Sequence, residues 1–298
     1  MLTCFSFTAN RDRMYRYWFA NSGLRSVTTE LGEGTVMHCW IPKIHRASRP
    51  SLILVHGFGA NAMWQFAGHI RHFTPHFNVY VPDVVFFGQS FTARSERTEA
   101  FQARCLMRLM EVHGISRASM VGVSYGGFVV YSLAEQFPDS VERLVLCCAG
   151  VCLEEKDLEE GLFAVSSLED AVDILLPQRP EKLRQLMKMS FVKPARGIPS
   201  CFLSDFIRVM CSDHVHEKEE LITSLLKDRK LSNLPRINHP TLILWGEQDQ
   251  IFPVELALRL QRHIGENAQM VTVKNAGHAI NLEKPHEFVK HLKHFFIQ

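Results

Sequence analysis

The residues best suited to chemistry are Gly122-Val123-Ser124-Tyr125-Gly126, followed by Gly127. Before this serine, Ala118-Ser119-Met120-Val121 reads as a short apolar strand; after it, residues 128–134 read as a buried helix. A serine on a sharp strand-to-helix turn is held in strained backbone geometry, with its hydroxyl aimed away from the sheet. Glycines are needed two residues before and after it, because side chains there would collide with the neighbouring strand or helix. Such a hydroxyl attacks well only with help. It needs a base to take its proton, a carboxylate to orient the base, and N–H donors for the charge that develops on the attacked oxygen.

In a wound parallel sheet these groups collect at the carboxyl ends of the strands. The apolar run at residues 241–245 leads into Gly246-Glu247-Gln248-Asp249, which offers Asp249 as the carboxylate, with Glu247 a close competitor. The last strand-like run, residues 269–273, leads to Asn275-Ala276-Gly277-His278 and offers His278 as the base. Fifteen histidines make a histidine near some serine unremarkable, but one in an Ala-Gly-His turn after the last strand is more specific. The chain order Ser124, Asp249, His278 is the order this architecture uses. The oxyanion donors expected are the backbone N–H of Tyr125 and that of Phe58, in the turn His56-Gly57-Phe58-Gly59. Gly57 and Gly59 let that backbone approach a ligand closely.

The elements that must position these residues follow from periodicity. An N-terminal amphipathic helix with Tyr15, Tyr17, Trp18 and Phe19 as its apolar face precedes a hairpin of strands at 24–31 and 35–40. Residues 51–56 form a near-continuous apolar run, as in a strand buried on both faces. A helix over 62–73, a strand over 78–83, a helix over 98–113, the elbow strand and helix, and a strand over 141–148 continue the alternation. From 152 to 235 the pattern is helical and charged, with helices expected at 153–163, 168–176, 180–191 and 204–226. Strands then return at 241–245 and 269–273, with helices over 254–264 and 285–296. The fold class expected is α/β: a doubly wound, mostly parallel, eight-stranded sheet of residues 1–151 and 236–298, carrying an inserted all-helical cap, 152–235.

Composition narrows the function. With 298 residues, 46% hydrophobic and 21% charged, the chain has the make-up of an ordinary globular protein. A net charge of +2 gives no electrostatic reason to expect nucleic acid or an anionic membrane as partner. No apolar run approaches the ~18–20 residues of a membrane span, so stable insertion is not expected. Arg11 and Arg13 interrupt any signal-peptide core, although the arginine-rich start faintly resembles a transit peptide. Eight cysteines, none in a C-x-x-C pair, fit neither a zinc site nor a disulfide scaffold and read as reduced thiols of a cytoplasmic protein. The residues imply no metal and no organic cofactor.

Taken together, His56-Gly57-Phe58-Gly59, the Ser124 elbow, Trp245-Gly246-Glu247-Gln248-Asp249 and Asn275-Ala276-Gly277-His278 resemble the α/β-hydrolase superfamily from about residue 52 onward. Within it the chain is most similar to plant members like the monoacylglycerol-lipase-like and meta-cleavage-product hydrolases. The resemblance implies a cofactor-free enzyme that uses water and an acyl-enzyme intermediate, but it does not fix the substrate; a small-molecule ester is the partner expected, and a monomer or homodimer the expected state. Gln89 departs from the charged or histidine residue many relatives carry there, so no substrate contact is carried over at that loop. Phe163, Phe191, Phe202, Phe206 and Met210 would line an apolar roof if they face the site, or form the cap's own core if they do not. With no basic clamp, an apolar or aromatic carboxylic ester is the expected substrate. A carbon–carbon hydrolase with the same three residues, and a small-molecule receptor with little turnover, are the alternatives.

Overall fold

Runs of Val, Leu and Ile at residues 51–55, 118–123 and 241–246 are buried on both faces, which requires helices above and below the sheet. The computed structural model describes residues 6–165 and 167–297; Cys4, Gln298 and the first residues of the arginine-rich start lie outside the described residues. The strands are β1 (Leu24–Gly32), β2 (Thr35–Pro42), β3 (Ser51–Val55), β4 (Asn78–Pro82), β5 (Phe91–Thr92), β6 (Ala118–Val123), β7 (Val141–Cys147), β8 (Thr241–Gly246) and β9 (Ala268–Val273). They lie side by side as β1-β2-β4-β3-β6-β7-β8-β9. β1, β2 and β4 pair antiparallel, whereas β4, β3, β6, β7, β8 and β9 are parallel. The eight strands expected are present, and the two-residue β5 adds a ninth beside β2.

The chain leaves β3 toward β4 on one side and later returns to place β6 on the other. The crevice between the carboxyl ends of β3 and β6 is therefore the switch point where such sheets bind ligands. The turn after β3 holds His56 to Gly59, and the turn after β6 holds Ser124.

Helices cover the sheet and its carboxyl end. They are α1 (Phe7–Asn21), α2 (Ala62–Phe66), α3 (Ile70–Phe73), α4 (Glu99–Val112), α5 (Tyr125–Gln136), α6 (Lys156–Glu159), α7 (Leu168–Leu175), α8 (Pro180–Ser190), α9 (Ser200–Met210), α10 (Val215–Leu226), α11 (Val254–Ile264), α12 (Ile280–Glu283) and α13 (Pro285–Ile297). Thr98 caps α4 by accepting the Phe101 N–H at 3.2 Å.

Four expectations need correction. The helix expected over 62–73 is two short helices, interrupted around Gly68, where His69 N–H turns back to the Phe66 carbonyl. The helix expected over 153–163 shrinks to α6, because the buried Asp157 carboxylate accepts the Glu154 N–H and ties itself to Arg259, and Gly161 is left-handed. The helix expected over 204–226 starts earlier and divides into α9 and α10. Ser212 Oγ donates to the Ile207 carbonyl at 3.0 Å, and His214 takes φ 52° at the break. Of the four aromatics expected on the apolar face of α1, only Tyr15 and Phe19, one turn apart, are buried, while Tyr17 and Trp18 face outward.

The helical stretch between β7 and β8 roofs the carboxyl end of the sheet. Ion pairs hold it there: Asp157 with Arg259, Glu220 with Arg97, and Arg229 with Glu99. Leu183, Leu203, Ile207 and Cys211 form a small apolar core of its own.

Candidate active site

Ser124 sits between β6 and α5 with φ 52° and ψ −120°, a conformation that side chains avoid. Hydrogen bonds on both flanks hold it: Ser124 N–H donates to the Cys147 carbonyl at 2.8 Å, and the Ser124 carbonyl accepts the Gly127 N–H at 2.9 Å. The elbow is so close to β3 that a Cβ on Gly126 would lie 2.3 Å from the Val55 carbonyl oxygen. A Cβ on Gly57 would lie 2.7 Å from that of Ser124. Glycine at these positions is a steric requirement.

The structure brings Ser124, His278 and Asp249 together. His278 Nε2 is 2.9 Å from Ser124 Oγ, and His278 Nδ1 is 2.9 Å from Asp249 Oδ2. The carboxylate only accepts, so Nδ1 carries the proton and Nε2 is free to accept from the serine hydroxyl. Asp249 Oδ1 accepts the N–H groups of Ile251 and Phe252 at 2.8 and 2.9 Å, which fixes the carboxylate and keeps it buried. Glu247, the competing carboxylate, instead accepts the Asn275 N–H at the surface. Cys148, Asp249 and His278 are the one trio among the described residues with metal-binding atoms gathered within 4.8 Å. Burial pushes the Cys148 thiol well up, favouring its neutral form, and the Asp249 oxygens are already engaged.

The Phe58 and Tyr125 rings meet edge to face, with centroids 5.0 Å apart. Neither residue's N–H donates to an acceptor among the described residues; at Tyr125 this follows from its place at the start of α5. The loop carrying Phe58 is held by a residue the sequence did not single out. The buried Gln65 accepts the Gly57 N–H at 3.0 Å and donates to the Gly57 and Phe58 carbonyls at 2.9 and 3.0 Å. His56 completes the brace. Its Nε2 accepts the Val84 N–H at 3.0 Å, so Nδ1 is the donor to the Gly57 carbonyl at 2.8 Å. Burial lowers the pKa of His56 and holds it neutral in this role. A glutamine eight residues beyond a His-Gly turn carries no pattern of its own; only the fold brings it back.

Two apolar chambers meet at the serine and share Phe58, Ser124 and Leu175 in their walls. The smaller, about 70 Å³, lies among Leu153, Phe163, Ile174, Ile222 and Phe252. The larger, about 580 Å³, runs past Trp64, Met187 and His278 to Phe7, Arg11 and Phe202. Its size falls within the ~300–1,000 Å³ usual for small-molecule sites. Of the expected roof residues, Phe163 lines the smaller chamber and Phe191, Phe202 and Phe206 line the larger. Met210 lines neither; at the last turn of α9 it packs on the Leu183, Leu203, Ile207 and Cys211 cluster. The share of α1 in the wall had no signal in the sequence.

The chain matches the family model for the α/β hydrolase fold over residues 50–191 and 208–285. It is 25% identical over 297 residues to the human (Homo sapiens) monoacylglycerol lipase ABHD6, covering 93% of this chain and 84% of the relative. It is 29% identical over 261 residues to the 2-hydroxy-6-oxo-2,4-heptadienoate hydrolase of Pseudomonas putida, covering 82% and 88% of the two chains. A crystal structure of a lipase, described as putative, from Acinetobacter baumannii superposes with a TM-score of 0.81 at 23% identity, covering 97% of this chain and 95% of that one.

Proposed function

Because the chain belongs to the α/β hydrolase fold family, we propose that it is a serine hydrolase cleaving carboxylic esters of apolar or aromatic small molecules. The observation that carries this reading is the hydrogen-bonded series Asp249, His278, Ser124, with the serine opening on two apolar chambers. His278 Nε2 takes the hydroxyl proton as Ser124 Oγ bonds to the ester carbonyl carbon, and the N–H groups of Phe58 and Tyr125 hold the oxyanion. As the tetrahedral species collapses, His278 returns the proton to the departing alkoxide, leaving an acyl group on Ser124. Water then repeats the sequence: His278 deprotonates it, the acyl–oxygen bond breaks, and the proton goes back to Ser124. Asp249 keeps the imidazole in the required tautomer throughout. Residues 152–235 act as the cap over a core of 1–151 and 236–298, with Phe163 in one chamber and Phe191, Phe202 and Phe206 in the other contacting the substrate.

The Pseudomonas relative is named for cleaving a dienoate, which makes carbon–carbon hydrolysis by the same three residues the second reading. Labelling with a fluorophosphonate, read by peptide mass, alongside turnover of a p-nitrophenyl ester chain-length series and of a vinylogous diketone, tests both. Modification at Ser124 with ester turnover that peaks at one chain length is expected. Labelling with diketone turnover alone would replace the ester reading by the second. Labelling without turnover of either would leave a ligand-binding protein, and no labelling would remove the serine from the mechanism.

A further inference from the structure

Among the described residues, eleven large hydrophobic side chains are exposed, and six of them lie on α1, α9 and α12, the helices from which Phe7, Phe202 and Leu282 border the larger chamber. Phe7 is 47% exposed, Trp18 42%, Phe202 44% and Leu282 50%. The other two, Met14 and Tyr17, are on α1. Their spacing explains the arrangement. Phe7, Met14 and Trp18, separated by seven and four residues, fall on one stripe of α1, next to the buried stripe of Thr8, Tyr15 and Phe19. Phe7 meets Phe202 of α9 edge to face at 5.5 Å, so the stripe continues onto the roof.

The exposure is not slack in the helix. Asp205 of α9 accepts the Ser6 hydroxyl and the Thr8 N–H at 3.0 and 2.8 Å, the Trp64 indole donates to Asp12 at 3.2 Å, and Lys43 donates to the Ala20 carbonyl at 2.7 Å. Held at both ends and in the middle, α1 cannot roll its outer stripe inward. Its charges have a matching bias. The helix has Arg11, Arg13 and Arg16 against a single acid, Asp12, which is committed to Arg16 and Trp64. Arg11 donates to the Tyr15 hydroxyl and Arg13 to the Asn10 side chain, so neither cation has an acidic partner among the described residues. Exposed aromatics interleaved with unneutralised arginines on a fixed helix are the chemistry of a helix lying in a lipid interface.

We propose that α1 and the adjoining start of α9 form a docking face for a phospholipid bilayer containing anionic headgroups. Docking sets the mouth of the larger chamber against the lipid. That the chamber then draws an acyl ester from the bilayer rests on the ester-hydrolase reading; the docking does not.

The full-length chain is tested by flotation with vesicles of phosphatidylcholine alone and of phosphatidylcholine mixed with phosphatidylserine. Turnover of a short-chain, water-soluble p-nitrophenyl ester and the thermal midpoint are followed alongside. Wild type is expected to float with the mixed vesicles. The double variant Met14→Glu/Trp18→Glu, which touches neither chamber, should bind at least about tenfold more weakly with unchanged thermal midpoint. Arg13→Glu should reduce the preference for the anionic vesicles by about fivefold. Wild type that stays unbound at both compositions, or a double variant that binds as well as wild type, overturns the proposal. A wild-type dimer in light scattering that the double variant dissolves, without vesicle binding, assigns the face to a second copy and also overturns it. Vesicle binding lost in the variant while neither protein hydrolyses the ester upholds the docking and removes the ester reading.

Discussion

On the floor of the cleft, Ser124, His278, Asp249 and Gln65 are fixed by hydrogen bonds of 2.8–3.0 Å to backbone and to one another. Over them, the stretch from α6 to α10 is built of helices of four to twelve residues that present Phe, Leu, Ile and Met to the chambers. Directional bonds define where an atom sits to a few tenths of an ångström, whereas apolar packing defines a volume. Under the proposed function the reaction geometry resides in the floor and substrate choice in the roof, and changes in the two regions should have different kinetic signatures.

The largest effect belongs to the floor. Ser124→Ala is expected to lower kcat by about 10⁶, going by comparable triads, with the fold intact by circular dichroism; turnover near wild type would end the nucleophile assignment. Gln65→Leu removes the clamp on the loop that carries Phe58 while nearly conserving volume. A fall in kcat of about 10² with little change in KM is expected, because the donor would be displaced only where the oxyanion forms. A change confined to the thermal midpoint would reduce Gln65 to a structural role.

A pH effect separates packing from chemistry. His69, between α2 and α3, is buried beside Phe288, and burial lowers its pKa to about 4 from 6.5. The unfolded chain takes up this proton below 6.5 and the folded one only near 4. Stability should therefore fall as pH drops through that window, by up to about 3 kcal/mol from this residue. Denaturant midpoints at pH 7 and pH 4.5 should lie closer together in His69→Phe than in wild type, with ester turnover at pH 7 preserved.

Roof changes should be smaller and selective. Leu175 borders both chambers, so Leu175→Ala is expected to lower kcat/KM about tenfold for the best ester, mainly through KM, and to flatten the chain-length profile. A kcat loss equal for all chain lengths would contradict the division between floor and roof. The smallest effect concerns the tie between α1 and α9. Hydrogen bonds from Thr8, Ser6 and Arg208 outweigh desolvation and hold Asp205 down to about 2. Asp205→Asn should accelerate amide exchange across α1 by about fivefold, equivalent to about 1 kcal/mol, without altering turnover of soluble esters.

The floor was legible in sequence because its logic is positional. Apolar runs mark the buried strands, chemistry collects where they end, and Ser124, Asp249 and His278 each follow such a run. The same logic has no hold on Gln65, which matters only because α2 folds back under the His56 turn. Nor can periodicity report where a helix stops when the cause is a competing side chain. Ser212 divides α9 from α10, and Asp157, drawn to Arg259 a hundred residues away, accepts the Glu154 N–H and so delays the start of α6. Apolar spacing likewise could not separate Met210 from Phe206, since facing a chamber or facing a neighbouring helix requires the same kind of residue.

If the proposed acyl-enzyme mechanism operates, the two chambers that share Phe58, Ser124 and Leu175 also govern traffic. A molecule cleaved at their junction has its halves parked in separate compartments, so the first product can depart while the second stays tethered. The vacated compartment is then open to whichever acceptor arrives next. An alcohol supplied at high concentration competes there with water for the tethered half, so the partition between hydrolysis and transfer is set by occupancy of one compartment and by the contents of the surrounding solution.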